Sequence, residues 1–325
     1  MQRDSSVDLK GIFIEKKFAG ELRDNLSQYG NRCVVLEGDY EERLKYFLTM
    51  QTEKQRNYFI YVDPYGIKSL SFSYLVGIKS LGFNSTEVLM NFNTTGFLRE
   101  GCRLLKLTRE APDWAKDLDY DVDGRNTATH MDEVAGGIYW REILQNFDAG
   151  KIDFNLAEVC FTKSYVDVMR SVFQYVVDIP IKERSHHMPK YRLIFAGDHI
   201  DGLILMVDSM NKAWQILRRK ERGGQLYLFD DNELAAIEHH PAQDLVWDKL
   251  CNPCELKQLL ADLIMKHGIT YTGKEYIDAI RENEGKMFTV ERTPPLTPTG
   301  RKAISMNYKD YDILVGRKSK QENLF

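Results

Sequence analysis

The sequence predicts an α/β fold, a mostly parallel sheet followed by a small separate domain at the carboxyl end. Three observations carry that prediction. Over the first 95 residues, short β-branched runs alternate with stretches whose apolar residues recur at helical spacing. Several of those stretches are followed by Gly or Asn, which stop helices. From about residue 254 the order changes to helix, helix and two strands around a Pro-rich loop, the outline of a winged helix.

Taken in order, strands are expected at 11–15, 33–39, 58–63 and 87–93, with helices between them at 18–28, 40–50 and 72–81. Strand, helix, strand repeated three times implies right-handed crossovers and a parallel sheet. Residues 97–157 are less regular and read as an insertion covering the sheet, with an acidic stretch at 113–123 and a helix-like segment at 131–146. A helix at 163–174 leads to strands at 175–181 and 191–196, then to an apolar stretch at 203–213 that runs into a polar helix. Pro180 and a turn around Gly202 suit an antiparallel edge. In the tail, helices are expected at 256–267 and 272–283. Thr272 with Glu275 three residues on forms a capping box, and strand-like segments lie on either side of a turn at 293–300. The resulting division is a sheet domain at 1–228, a linker at 229–253 and a winged-helix-like domain at 254–325.

The 325 residues are 43% hydrophobic and 28% charged, enough for a large core, which excludes wholesale disorder, a collagen-like chain and a disulfide miniprotein. A net charge of -4 offers no global basic field for nucleic acid, so any such patch must be local. Five cysteines, odd and sparse, point to a reducing compartment. The longest aliphatic run, 203–207, is too short to span a bilayer, and residues 1–6 carry no signal-like apolar segment. A soluble cytoplasmic protein without a membrane partner is expected.

Glu15, Asp39 and Asp63 stand at or just after strand ends. In open α/β sheets ligands bind at the carboxyl ends of the strands, where a carboxylate can take ribose hydroxyls or an adenine amino group. Glu15 is the candidate for the hydroxyls and Asp39 for adenine. The competing reading makes each acid a helix cap. Asp63-Pro64-Tyr65 offers an acid to accept a hydrogen bond from a substrate amino group and an aromatic to stack on its ring; otherwise the acid caps a turn and Tyr65 packs on the sheet. Asn93 and Arg99 are further candidates on the reaction side, Arg99 toward an anionic group or merely toward the surroundings of Glu100. His239-His240 with Cys251 and Cys254 lacks ordinary zinc spacing, so no metal is assigned.

In the tail, 12 Lys and Arg against 10 Asp and Glu make a slight positive contrast with the remainder. A recognition helix there would show Lys274 and Arg281 among acids, a mixed face, whereas Arg301 and Lys302 in the wing are better placed for phosphate. Winged helices also dock proteins, and both uses stay open.

The blocks Phe59-Ile-Tyr-Val-Asp-Pro-Tyr-Gly66 and Glu87-Val-Leu-Met-Asn-Phe-Asn93, with Phe97-Leu-Arg99, resemble the three-Cys-motif partner family (TcmP). Gly136-Gly-Ile-Tyr-Trp140 and Tyr191-Arg-Leu-Ile-Phe-Ala-Gly-Asp-His199 resemble its further blocks, so the likeness spans about residues 11–220. The tail resembles the GMT-like winged-helix domain of some members. The resemblance implies a Rossmann-like, class I methyltransferase-type domain, S-adenosylmethionine as cofactor, and a radical-SAM-like three-Cys-motif protein as partner in a bacterial or phage-associated system. One departure stands out: family members open with a strand and a glycine-rich turn that are missing here. That strand would sit centrally, between the strands ending in Glu15 and Asp63. The expectation is a truncated chain, a late start codon or a half supplied by another polypeptide.

The function expected is methyl transfer to a nucleic-acid or other amino group, with Glu15 and Asp39 on the nucleoside and Asp63, Tyr65, Asn93 and Arg99 on the reaction side. A non-catalytic adaptor or DNA-binding protein is the alternative, and a metal-dependent nuclease a weaker one.

Overall fold

A computed structural model describes residues 8–63, 71–112, 127–181, 189, 191–221 and 241–318, with the side chains of 217–221 left aside. Among the described residues the fold is mixed α/β, built on three sheets.

β1 (Gly11–Glu15) and β2 (Cys33–Glu37) pair in parallel, with Glu15 opposite Glu37. Between them lie α1 (Ala19–Leu26) and a 3-10 turn (Ser27–Arg32). α2 (Tyr40–Thr49) then leads to β3 (Asn57–Val62), which pairs in parallel with β4 (Ser85–Phe92) across α3 (Phe72–Ser80). β5 (Tyr175–Ile181) and β6 (Tyr191–Gly197) complete this second sheet in the order β3-β4-β6-β5, with β6 antiparallel to both neighbours. Pro180 therefore sits on an edge strand, where its missing N–H costs no ladder bond.

The segment between β4 and β5 holds α4 (Thr94–Leu105), α5 (Ala128–Ala135), α6 (Tyr139–Asp148) and α7 (Phe154–Met169). One helix was expected at 131–146, but Gly136 at φ 68° ends α5 in a left-handed cap. The expected helix at 163–174 begins earlier, because Asp153 caps α7 through the Leu156 N–H at 2.7 Å. The turn expected around Gly202 is instead inside α8 (Ile200–Glu221), where a side chain would collide with the Glu87 carboxylate.

After residue 240 come α9 (Ala242–Lys249), in the stretch expected to be linker, then β7 (Cys254–Glu255), α10 (Leu256–His267), α11 (Gly273–Glu282), β8 (Phe288–Thr293) and β9 (Asp312–Arg317). α11 opens with the Thr272–Glu275 capping box. β7 and β8 flank β9, both antiparallel to it.

Two apolar cores lie on opposite faces of the four-stranded sheet. Ile60, Val62, Val88, Met90, Phe92 and Val176 face α2 to α7, where Phe92, Phe97, Phe161 and Trp140 interlock edge to face or stacked. Val177, Ile179 and Phe195 face α8 and the carboxyl-terminal helices. That second layer covers β5 and β6 but leaves Phe59 and Tyr61 of β3 exposed at 54% and 56%. No helix among the described residues is long and apolar enough to cross a membrane.

Candidate functional site

The carboxyl ends of the parallel strands form two neighbouring rims. On the first, β1 and β2 end in register, and Gly38, at φ 138°, turns the chain so that its N–H donates to Glu15 O at 3.2 Å. Asp39 follows as the N-cap of α2, its Oδ1 accepting the Glu41 N–H at 3.1 Å. Glu15 Oε1 accepts the N–H groups of Lys17 at 2.7 Å and Phe18 at 3.1 Å. The Lys17 and then the Phe18 bond hold this carboxyl below its ordinary range, since both favour the charged form. Lys16 Nζ reaches to 3.9 Å of Asp39 Oδ2. Each carboxylate thus spends one oxygen on local backbone, and the second Asp39 oxygen faces Lys16.

On the second rim, Val62 stands opposite Met90, which brings Asp63 beside Asn91. Asn91 Nδ2 donates to Asp63 Oδ1 at 2.8 Å. Asn91 emerges as the orienting partner of this acid. Burial, followed by the neighbouring Asp63 charge, pushes the Tyr61 phenol up.

Asn93 is only 3% exposed and caps α4, accepting the Gly96 N–H at 2.7 Å. A Cβ at Gly96 would lie 2.7 to 2.8 Å from that amide, so the residue is glycine for room. This is structural work inside the core and does not bring Asn93 to the rim surface. Arg99 is half-buried on α4 and engaged there, while Glu100 is held by the Arg103 guanidinium at 2.8 and 2.6 Å. Tyr65 lies outside the described residues, as do His239 and His240. Asp198 beside His199 forms an ion pair with Lys79.

In the tail, Lys274 and Arg281 are exposed on α11, with Arg281 bound to Asp278 at 3.0 Å. The first turn of that helix is docked: the Gly273 N–H donates to Asp208 Oδ1 of α8 at 2.8 Å, and a Cβ at Gly273 would lie 3.0 Å from Ile204. Arg301 and Lys302 are exposed on a turn closed by the Thr297 N–H to Arg301 O bond at 2.7 Å.

A polar constellation not expected from the sequence lies past the end of β4, where Arg192 stands opposite Phe92. Glu158 of α7, buried, accepts the Arg192 Nε and NH2 groups at 2.8 and 2.6 Å and the hydroxyls of Thr94 and Thr162 at 2.6 and 3.0 Å. Arg192 also donates to Asp178 at 2.9 Å. Beside it opens a cleft of about 300 Å³, lined by Lys163, Asp167, Arg170 and Lys266 among others. Glu158 among apolar neighbours on α7 was the visible sign of a buried charge; its partner 34 residues away was not. Among the described residues, no group of three His, Cys, Asp or Glu side chains could hold a metal ion.

No family model, curated protein or solved structure matches the chain. The site is therefore read from its own geometry.

Proposed function

We propose that the two rims form a nucleoside site of a class I methyltransferase-type domain, related to the three-Cys-motif partner proteins and followed by a winged-helix unit. One observation carries the reading: strand connections run outward in opposite senses from the gap between β1 and β3, β1 to β2 on one side and β3 to β4 on the other. Such a switch point is where open α/β sheets hold ligands, at the carboxyl ends. Glu15 and Asp39 flank the gap on one side and Asp63 with Asn91 on the other. The second Glu15 oxygen suits vicinal ribose hydroxyls, and the exposed Asp39 carboxylate suits an exocyclic amine. Asp63, fixed by Asn91, suits an acceptor amino group.

The residues fit the nucleoside half of S-adenosylmethionine. They do not fit its amino-acid half, because no glycine-rich turn follows a strand end on this gap among the described residues, and no reaction step is derived through the cofactor. The partner proposed is the radical-SAM-like three-Cys-motif protein. The tail supports the winged-helix reading through its order, helix, strand, helix, helix and two strands with β7 paired to β9. Docking of the α11 amino end on α8 favours protein contact or wing contact over groove reading by that helix, since recognition helices read bases with their first turns.

Calorimetric titration with S-adenosylmethionine tests the reading. Saturable binding is expected, weakened about tenfold by Glu15→Gln, which keeps the oxygen bound to Lys17 and Phe18 and replaces the second one. Equal binding by wild type and variant, or none by either, would favour a second reading, a non-catalytic docking protein. The local engagement of Glu15 with backbone N–H groups and of Asp39 as a helix cap is what speaks for that alternative.

A further inference from the structure

The cleft beside the Glu158 network lies where three elements meet: α7, the strand β5 and the carboxyl end of α10. Its cations are not equivalent. Arg170 is fully engaged, donating to Asp167 at 3.2 Å, to Val176 O of β5 at 3.2 Å and to Met265 O of α10 at 3.3 Å. It thereby ties α7 to β5 and satisfies a carbonyl at the end of α10, where the helix dipole is negative. Arg192, nearly buried, is spent on Glu158 and Asp178. Lys163 and Lys266 differ from both arginines. They line the cleft from α7 and from α10, both are exposed, and neither has a hydrogen bond or ion pair among the described residues. Asp167, four residues after Lys163 and its natural partner at that spacing, is held by Arg170.

We propose that this cleft binds a small organic phosphate, with the phosphoryl group held between Lys163 and Lys266 and a neighbouring hydroxyl held by Asp178. The cavity, about 300 Å³, stands at the small end of the range of ligand pockets, which suits a free small molecule. The residue types choose the anion. A carboxylate is best met by the planar fork of an arginine, and both arginines here are occupied. Two ammonium groups act as compact point charges, which suits a tetrahedral phosphoryl group. Asp178 supplies the second contact. Its Oδ2 takes Arg192 at 2.9 Å, Oδ1 has no partner among the described residues, and the side chain, 25% exposed, lines the cleft. Arg192 offsets its charge, so Oδ1 can accept a hydroxyl without driving the anion away. Val159, Val177 and Met265 give the carbon skeleton an apolar wall. Because Lys163 and Asp178 stand on α7 and β5 and Lys266 on α10, a bound ligand would join the sheet to the tail, as Arg170 already does. The site uses neither rim and stands without the nucleoside reading.

Calorimetry on the whole chain tests it, with glycerol 3-phosphate, inorganic phosphate, glycerol and citrate as probes. Glycerol 3-phosphate should bind saturably with a Kd of about 1 mM or tighter, inorganic phosphate about tenfold more weakly, and glycerol not at all. Lys163→Gln with Lys266→Gln should weaken glycerol 3-phosphate by about tenfold or more, and since both side chains are exposed the fold is retained. Asp178→Asn, which keeps an oxygen for Arg192, should erase the preference for glycerol 3-phosphate over inorganic phosphate while phosphate still binds. No saturable binding of glycerol 3-phosphate, equal binding by the wild type and the double lysine variant, citrate bound as tightly, or a preference retained in Asp178→Asn would overturn the proposal. A phosphoserine tetrapeptide bound more tightly than glycerol 3-phosphate would overturn the assignment to a free small molecule.

Discussion

Replacing Arg192 by Met tests the buried polar network most directly. Its guanidinium supplies two of the four hydrogen bonds that Glu158 Oε1 and Oε2 receive, and the Glu158 side chain is 1% exposed. Met fills a similar volume, so the main effect is a carboxylate left in the core without its cation. Removing one partner of a buried pair costs about 3–5 kcal/mol, because the remaining charge keeps its desolvation cost. With a urea slope of about 2 kcal/mol/M for a domain of this size, the midpoint should fall by about 2 M. Arg192→Met with Glu158→Leu removes the buried pair and leaves the partly exposed Asp178, which both variants deprive of its cation, and the Thr94 and Thr162 hydroxyls, of which Thr162 can turn to its own helix. The double variant should therefore be more stable than Arg192→Met alone. Urea unfolding followed by far-UV circular dichroism reads both. A midpoint shift below about 0.5 M for Arg192→Met, or a double variant weaker than the single one, would refute the reasoning.

Two further outcomes follow from local geometry. Gly136 and Gly150 both sit at left-handed φ, 68° and 72°, but a Cβ at Gly136 would lie 2.7 Å from Phe72 and Val168, whereas nothing lies within 4 Å at Gly150. Gly150→Ala should cost about 1–2 kcal/mol of backbone strain and Gly136→Ala about 1–3 kcal/mol more, and equal losses in thermal unfolding would discredit the packing account. In the tail, Glu284 holds the buried Arg292 at 2.8 and 2.7 Å, and that hydrogen bond keeps its carboxyl below the ordinary 4.5. A lowered folded-state value means stability is present above about 4.5 and lost as pH falls through the folded value, so Glu284→Gln should flatten acid unfolding monitored at Trp247; an unchanged profile would count against the pair.

The sheet was legible because its first strands are short β-branched runs set between stretches of helical spacing: β1 was expected at the residues it occupies, and β2 to β4 differ at their ends by one or two. The helix stops were legible where a cap is local, as at Thr272 with Glu275. What escaped depended on contacts distant in sequence. β7 has two residues and exists only because β9, about 60 residues on, pairs with it. The uses of Asn93 and Glu15 are local, a helix cap and a carboxylate bound to the N–H groups of the following turn, with partners within three residues, yet the same residue types at strand ends serve ligands in other sheets.

Capping and ligand binding are not exclusive uses of one carboxylate, and that decides how the first rim should be read. Each ionised group offers two oxygens and about four acceptor positions. Glu15 uses Oε1 for two N–H groups, which orient the carboxylate. A fixed orientation is an advantage for binding, since a ligand then need not freeze a free side chain. The lowered Glu15 value favours the charged form, so hydroxyl donors would meet an anion. Asn93 differs because its capping oxygen is itself buried, so there the same cap removes the residue from the surface. Burial, and not the presence of a cap, separates the strand-end residues that remain available from those that do not.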